Sequence, residues 1–153
     1  MNASIPRFLL MTAGIAAALT ASAHASIPAR RYILASRTVY DAKTRLTWQQ
    51  SVLSTALYTW ANAKTYCAGA GTSLGGSGWR LPTLGELRTI IDYSHDNPSI
   101  DSAAFPSTPA TLFWSSSPVA GSSSGAWGIT FDYGYANGYR LSNNGNVRCV
   151  RGK

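Results

Sequence analysis

Three blocks of sequence decide the fold: Gly78-Trp79-Arg80-Leu81-Pro82-Thr83, Phe113-Trp114-Ser115-Ser116 and Val147-Arg148-Cys149-Val150-Arg151-Gly152. Each block joins large aromatic or apolar residues to turn-forming ones, a pattern that marks short strands entering a common core. We expect the Trp and Leu residues of these blocks to be buried, since a Trp side chain buries a large area. Arg80 and Arg148 are expected to make buried hydrogen bonds near strand ends. The blocks therefore predict architecture and identify no ligand.

The first residues have the features of a secretory signal peptide. Arg7 supplies positive charge, Phe8–Thr20 is an apolar run, and Ala23-His24-Ala25 is an A-x-A cleavage site. The alternative is a membrane anchor, but the run is shorter than the roughly 20 residues of a spanning helix. We therefore expect a signal peptide over residues 1–25, a basic N-terminal arm over residues 26–37 and one domain over residues 38–153. The mature protein is expected to be periplasmic or secreted, with no transmembrane segment.

Positive charge is concentrated at the two ends of the expected mature chain. The sequence has 13 basic and 6 acidic residues, a formal net charge of +7. If the two ends of the chain meet in space, the excess of Lys and Arg over Asp and Glu forms one positively charged region of the surface. The alternative is that the basic ends only aid solubility. The residues predicted to form this basic patch are Arg30, Arg31, Arg37, Arg151 and Lys153.

Cys67 and Cys149 are the only cysteines. In an exported protein, two such residues most economically form one disulfide. The alternative, a reactive thiol, is less favoured because Cys67 falls late in a predicted helix and Cys149 within an apolar strand.

The front of the domain is predicted to hold a hairpin and two helices. Thr38–Tyr40 and Arg45–Gln49 are the strands of the hairpin. The first helix is predicted from about Val52 to Cys67. Its apolar residues recur at spacings of three and four and would form one buried face: Leu53, Ala56, Leu57, Trp60, Ala63 and Cys67. Ala68–Ser77 is predicted to be a Gly-rich loop and Trp79–Leu81 a short strand. Thr83 and Glu86 fit a capping box that opens the second helix, with a buried stripe of Leu84, Leu87, Ile90 and Ile91.

The last third is predicted to be antiparallel strands, so the fold class is α+β. Leu112–Ser116 is a buried strand after a long polar loop, and Trp127, Ile129 and Phe131 alternate as on a half-buried strand. Two pairing schemes remain open. In the preferred one, residues 132–134 and 143–145 are turns and Tyr135–Leu141 is a strand; in the other, Asn137-Gly138 is a hairpin turn.

From Val39 to Gly152 the chain resembles the Lcl C-terminal domain family, named for a bacterial collagen-like adhesin. The blocks that carry the resemblance are Asp41 through Trp48, Trp60-Ala61-Asn62-Ala63, Trp79 through Thr83 with Glu86-Leu87, Phe113 through Ser116, Trp127, and Val147 through Arg151. The resemblance implies a C-type-lectin-like fold: two helices packed on small antiparallel sheets with long loops and one disulfide. It further implies that the first and last strands lie together, that Cys67 meets Cys149 and that the basic ends come close. The named adhesin implies attachment to sulfated polysaccharides, although its collagen-like trimer-forming repeat is missing here.

The best ligand-facing candidates are Tyr133, Tyr135, Asn137, Tyr139 and Arg140. Aromatic rings stack on sugar faces, while an amide and a guanidinium bind hydroxyls or sulfates. The alternative is that these tyrosines only cover the sheet.

Other chemistry has less support. Gly121-Ser122-Ser123-Ser124-Gly125 matches the G-x-S-x-G pattern of hydrolases, but that motif needs a strand-to-helix turn and is predicted here in a loop between strands. In those hydrolases the histidine follows the serine in the chain, whereas His95 precedes it. Formylglycine-generating enzymes, which share the fold, use a close pair of cysteines that this chain lacks. Asp92, His95, Asp96 and Asp101 could bind calcium, but their spacing fits no EF-hand, and Asp96-Asn97-Pro98 has the wrong order for a calcium-dependent lectin. Asp and Asn also serve plain turn formation.

We therefore expect a monomeric, non-catalytic, exported binding module without a cofactor or metal. Its expected partner is an anionic polysaccharide or a protein surface, and not nucleic acid. The competing expectation is an accessory or structural envelope protein that docks a protein partner. A more remote one is an oxidase related to the formylglycine-generating enzymes.

Overall fold

The computed structural model describes residues 30–152. The predicted signal peptide, residues 26–29 of the arm and Lys153 lie outside the described residues. The elements in chain order are β1 (Tyr32–Leu34), β2 (Thr38–Asp41), β3 (Leu46–Gln49), α1 (Trp60–Gly69), α2 (Gly71–Leu74), α3 (Leu84–Arg88), β4 (Leu112–Pro118), β5 (Gly125–Thr130), β6 (Tyr135–Arg140) and β7 (Val150–Arg151). This is an α+β fold with two small antiparallel sheets, as predicted.

The first sheet joins the front of the domain to its end. Its strand order is β1-β2-β3-β7, with all neighbours antiparallel. Val39, Trp48 and Val150 stand in register across three strands and are fully buried. The predicted hairpin and the return of the last strand to the first ones are therefore confirmed.

The second sheet, β4-β5-β6, settles the pairing alternatives. Asn137 pairs with Gly128, and Gly138 pairs with Trp127, in the middle of β6. The preferred scheme is therefore confirmed, and an Asn137-Gly138 hairpin turn is wrong. The connecting turn lies at Asp132–Gly134, where Gly134 has φ 77°, a left-handed conformation that glycine adopts without steric cost.

Two buried clusters lie on opposite faces of the second sheet. Phe113 and Ile129 face a cluster that also holds Trp48, Leu87 and Phe105. The neighbouring residue Trp114 points to the other face, into a cluster with Ala63, Cys67, Trp79 and Cys149. Because successive side chains alternate along a strand, β4 contributes to both clusters, and both faces of the sheet are covered beside β4.

The predicted disulfide is present. Cys67 on α1 is bonded to Cys149, with an S–S distance of 2.03 Å and a Cα–Cα distance of 5.3 Å. Both residues are fully buried. Since neither of the two cysteines is free, the reactive-thiol alternative is wrong.

The prediction for the start of the first helix was wrong. α1 begins at Trp60, and Leu53 and Leu57, predicted to be buried, are 75% and 50% exposed. Tyr58 exchanges two backbone hydrogen bonds with Gly145, which requires an extended conformation and prevents helix before Thr59. The predicted Gly-rich loop contains α2, and Trp79–Leu81 forms only a bridge, between Arg80 and Val150.

The predicted capping box is confirmed at the start of α3. The Thr83 hydroxyl accepts from the Glu86 N–H, and the Glu86 carboxylate accepts from the Thr83 N–H. The helix ends at Arg88, earlier than predicted, although Ile90 and Ile91 beyond it are buried. Among the described residues, no helix has both the length and the apolar character needed to cross a membrane.

Candidate functional site

A cleft of about 550 Å³ opens beside β1, at the start of the described chain. Its wall combines β1, the segment after Ile91 and the segment around Asp101. The polar and aromatic side chains that line it include Arg30, Arg31, Asp92, Tyr93 and Asp101. Leu34, which is 53% exposed, adds an apolar contribution.

Arg31 lines this cleft but its charge is already paired. Its Nε and Nη2 donate to the two carboxylate oxygens of Asp41 at 3.1 and 2.9 Å, and Nη2 also donates to the Thr89 carbonyl. β1 and β2 are antiparallel, with Tyr32 opposite Asp41. Arg31 precedes Tyr32, so its side chain lies within reach of the Asp41 carboxylate. Burial opposes ionisation of Asp41, yet the hydrogen bonds from Arg31 hold the pKa of this carboxyl below its ordinary value. Arg30 is exposed and forms no salt bridge among the described residues.

The two carboxylates of the cleft are engaged in local turns. Asp92 accepts from the Ser94 hydroxyl at 2.6 Å and from the Ser94 N–H at 2.9 Å, which lowers the pKa of Asp92. Asp101 accepts from the N–H groups of Ala103 and Ala104. Within residues 30–152, no group of three or more His, Cys, Asp and Glu side chains is arranged to hold a metal ion. Plain turn formation accounts for Asp92 and Asp101.

Ser94, His95 and Asp92 touch one another, but not as a catalytic triad. The same ring nitrogen, His95 Nδ1, lies 3.1 Å from the Ser94 hydroxyl and 3.1 Å from the Asp92 carboxylate. In a triad the imidazole uses one nitrogen for the serine and the other for the carboxylate. The serines of the G-x-S-x-G match lie elsewhere, between β4 and β5, as predicted for a loop between strands.

Three exposed tyrosines form a surface that we call the tyrosine patch: Tyr93, Tyr133 and Tyr135. Tyr133 and Tyr135 are 57% and 64% exposed, and their ring centroids lie 6.1 Å apart. Tyr93 is 75% exposed and packs against Gly134, the residue between them: a side chain on Gly134 would begin 3.2 Å from the Tyr93 ring. Since Tyr93 also lines the cleft, the patch and the cleft are continuous.

The other predicted residues of β6 lie away from this patch. Alternation puts Tyr135, Asn137 and Tyr139 on one face, as predicted, but Tyr139 is half-buried in an edge-on contact with Trp114, at 6.2 Å between ring centroids. Asn137 is exposed in mid-strand, and Arg140 is exposed at the far end of β6. The patch is therefore built by Tyr93, which the sequence analysis missed, instead of Tyr139. The only sequence signal for Tyr93 is its position directly after the buried stripe that ends at Ile91.

The predicted basic patch is divided between two places. Arg30 and Arg31 line the cleft, whereas Arg37 contacts α2 and Arg151 contacts the loop that follows α2. Arg37 donates to the Ser73 carbonyl at 2.7 Å, and the Arg151 guanidinium lies beside Gly76 and 5.3 Å from the Trp79 ring centroid. Lys153, the fifth predicted member, lies outside the described residues. We call Arg37 and Arg151 the loop arginines.

The molecule is thus a disulfide-bonded α+β domain with a cleft and an exposed aromatic patch. The sequence model of the Lcl C-terminal domain family matches residues 37–151, and the chain belongs to this family. Among curated proteins, none matches the sequence.

Proposed function

We propose that the protein is an exported, non-catalytic binding module that takes an anionic glycan across the tyrosine patch and the adjoining cleft. The observation that carries this proposal is the continuity of three exposed tyrosines with a cleft that Arg30 lines. Side chains as large as Tyr seldom stay exposed together without a partner. The predicted signal peptide, the disulfide and the family membership support export and a C-type-lectin-like arrangement.

The chemistry of the patch suits a sugar ring. The apolar faces of saccharides stack on aromatic rings, and the phenol hydroxyls bond to sugar hydroxyls. The two rings have centroids 6.1 Å apart and planes at 46° to each other, so each offers its own stacking face to one of two linked sugar rings. Stacking therefore supplies the affinity that does not depend on charge.

Arg30 supplies the charge-dependent part. A guanidinium binds a sulfate or carboxylate with two parallel hydrogen bonds. Arg31 beside it is neutralised by Asp41, so within residues 30–152 Arg30 is the cation of the cleft whose donors are left for a ligand. The formal net charge is +7 for the full sequence and +6 without Arg7 of the predicted signal peptide (12 basic minus 6 acidic residues), and this excess adds long-range attraction for a polyanion.

Two observations bear on the competing functions. Both cysteines are consumed in one disulfide, which supports a role without thiol chemistry. Ile33 and Leu34 are 56% and 53% exposed on β1 beside the cleft, and they favour docking of a protein partner as the second candidate. An apolar strand edge contributes little to recognition of a sulfated sugar, so the two candidates depend on different residues.

Titration of the purified protein with heparin, and with an uncharged polysaccharide as comparison, tests the proposal. The double variant Tyr133→Ala, Tyr135→Ala should weaken heparin binding about tenfold, the effect of losing roughly 1.4 kcal/mol of stacking. Arg30→Ala should weaken it and flatten its dependence on salt, because one screened ion pair is removed. Tyr40→Ala, which removes a tyrosine from the other sheet, and Arg37→Ala, which removes a loop arginine, are the matched controls.

The outcomes separate the candidates. Equal binding by the tyrosine double variant and the wild type would contradict the proposed site. Loss through Arg37→Ala but not through Arg30→Ala would move the anion site to the loop arginines. No binding to any glycan, together with capture of a protein that Leu34→Ser abolishes, would establish the second candidate instead.

A further inference from the structure

β6 forms one margin of the second sheet. It pairs with β5 on one side, and none of residues 30–152 pairs with its outer edge. The strand is six residues long, Tyr-Ala-Asn-Gly-Tyr-Arg, and most of it is exposed. An edge of this kind presents a row of backbone donors and acceptors to whatever can pair with it.

The hydrogen bonds around β5 and β6 show which backbone groups point outward. Leu141 donates its N–H to the Ser124 carbonyl, and the Gly125 carbonyl accepts from Val119 on the opposite side, toward β4. Since alternate residues of a strand direct their backbone groups to opposite sides, the odd-numbered residues of β6 bond to β5. Ala136, Gly138 and Arg140 therefore direct their N–H and C=O groups to the open edge, where the Arg140 carbonyl already accepts from the N–H of Asn143 in the same chain.

β6 lacks the features that usually protect an edge. Such strands are blunted by charged side chains, lysine above all, and by proline, a bulge or very short length, and the one charge of β6 is Arg140, at its last residue. The sequence of β6 contains no lysine and no proline, and its register with β5 runs from Tyr135 to Arg140 without a shift. By contrast β1, the outer strand of the first sheet, has three residues.

We propose that β6 pairs antiparallel with β6 of a second copy of this chain, on a two-fold axis that passes through Gly138. In this register Gly138 faces Gly138 of the other copy, and Ala136 faces Arg140. The two Gly138 residues then exchange two hydrogen bonds, and the N–H of each Arg140 donates to the Ala136 carbonyl of the other copy, about four bonds in total. The N–H of each Ala136 can add one more through the second lone pair of the Arg140 carbonyl. A shift of two residues toward the start of β6 would involve Gly134, whose N–H is already bonded to Thr130, and a shift the other way would involve Ser142, which lies beyond the strand. The centred register is the one in which every paired outward residue belongs to β6.

Charge and shape support a second copy as the occupant. Arg140, the one charged residue of β6, lies opposite Ala136, so no like charges are opposed along the paired strands. Gly138 at the axis has no side chain to separate the two backbones. A symmetric dimer of this kind is closed, because each copy uses its edge fully.

The pairing would join two three-stranded sheets into one and place both Tyr135 residues on the same face. They would be six strand residues apart, about 20 Å at the rise of a β-strand. Two patches at that spacing would bind one long polymer bivalently, which raises avidity without a new contact. The pairing itself does not depend on the proposed ligand.

Sedimentation equilibrium of the purified protein without ligand, over a range of concentrations, gives the first measurement. The mass should rise toward twice the monomer value, and Ala136→Pro should abolish the rise. Proline removes an outward N–H from an edge strand while leaving the bonds to β5 in place. Asn137→Ala, whose backbone points to β5, is the control and should dimerise like the wild type.

Amide hydrogen exchange of the wild type tests the same edge without a substitution. As concentration rises, protection should increase at Ala136, Gly138 and Arg140, while Asn137 and Tyr139 are protected at every concentration. A monomer at all concentrations would overturn the proposal. So would a dimer in which protection appears elsewhere, or one that a folded Ala136→Pro protein still forms.

Discussion

The guanidinium of Arg148 stacks on the ring of Phe105, with 4.7 Å between the guanidinium carbon and the ring centroid. Arg148 is fully buried, and it donates to the backbone carbonyls of Gln49 and Gln50 and to the Thr108 hydroxyl. Burial lowers the pKa of Arg148 to about 9, so the side chain is still charged at neutral pH. The arginine thus ties the end of β3 to the long loop before β4, as its predicted buried role requires.

We expect Arg148→Lys to destabilise the fold by about 2–3 kcal/mol, because an ammonium cannot span three acceptors or stack in plane on Phe105. Urea denaturation followed by tryptophan fluorescence measures the free energy of unfolding. Arg140→Lys, an exposed arginine, is the control and should change it by less than about 0.5 kcal/mol. If both variants matched the wild type, the guanidinium contacts would have no role in stability.

Removal of the disulfide should have a larger effect. The bond joins residues 82 positions apart, and closing a loop of that length removes denatured-state entropy worth at most about 4.5 kcal/mol. The double variant Cys67→Ala, Cys149→Ala should therefore lose about 3–4 kcal/mol of unfolding free energy. Wild-type protein unfolded in the presence of a thiol reductant should lose a similar amount, and a stable reduced form would contradict the estimate.

Local signals in the sequence predicted much of this fold because they act over a few residues. The capping box at Thr83 needs only the next three positions, and the turn at Asp132–Gly134 is encoded by turn residues. Two cysteines leave only one pairing within the chain. Each of these features is determined by a few residues and does not depend on how distant segments of the chain pack.

The predictions that were wrong or incomplete depend on contacts between distant segments. Leu53 and Leu57 have helical spacing, but Tyr58 pairs with Gly145 near the other end of the chain and keeps the backbone extended. Tyr93 joins the tyrosine patch only because it packs on Gly134. Arg31 is neutralised through the β1–β2 register, which no count of charges reveals.

Acid should weaken the fold partly through Asp41. Its pKa is lower in the folded state, so it stabilises the fold above its unfolded pKa of about 3.9, and this contribution is lost as the pH falls through the folded value. Asp41→Asn should cost about 1–2 kcal/mol of unfolding free energy at pH 7, from the loss of charged hydrogen bonds with Arg31.

The difference between Asp41→Asn and the wild type should shrink as the pH is lowered, because the wild-type carboxyl becomes protonated and neutral like the amide. Urea denaturation at several acidic pH values measures it. Asp96→Asn, at an exposed carboxylate, is the matched control and should differ little from the wild type throughout. A difference that stays constant with pH would mean that the amide acts through packing and not through charge.

Gly134 and Gly121 have the same backbone conformation, so a comparison of Gly→Ala at the two positions distinguishes backbone strain from side-chain packing at the tyrosine patch. Gly134 has φ 77° and Gly121 has φ 75°, so Gly→Ala at either position carries similar strain, about 1 kcal/mol. A methyl group on Gly121 would meet nothing within 4 Å, whereas one on Gly134 would lie 2.7 Å from Ile91 and 3.2 Å from the Tyr93 ring. We therefore expect Gly134→Ala to destabilise the fold by about 1–3 kcal/mol more than Gly121→Ala. Denaturation of the two variants measures this difference.

Because Tyr93 must move to admit the methyl group, Gly134→Ala should also weaken heparin binding while Gly121→Ala leaves it intact. Equal destabilisation by the two substitutions would mean that Tyr93 and Ile91 do not pack on Gly134, and the patch would lose the contact that connects it to the cleft.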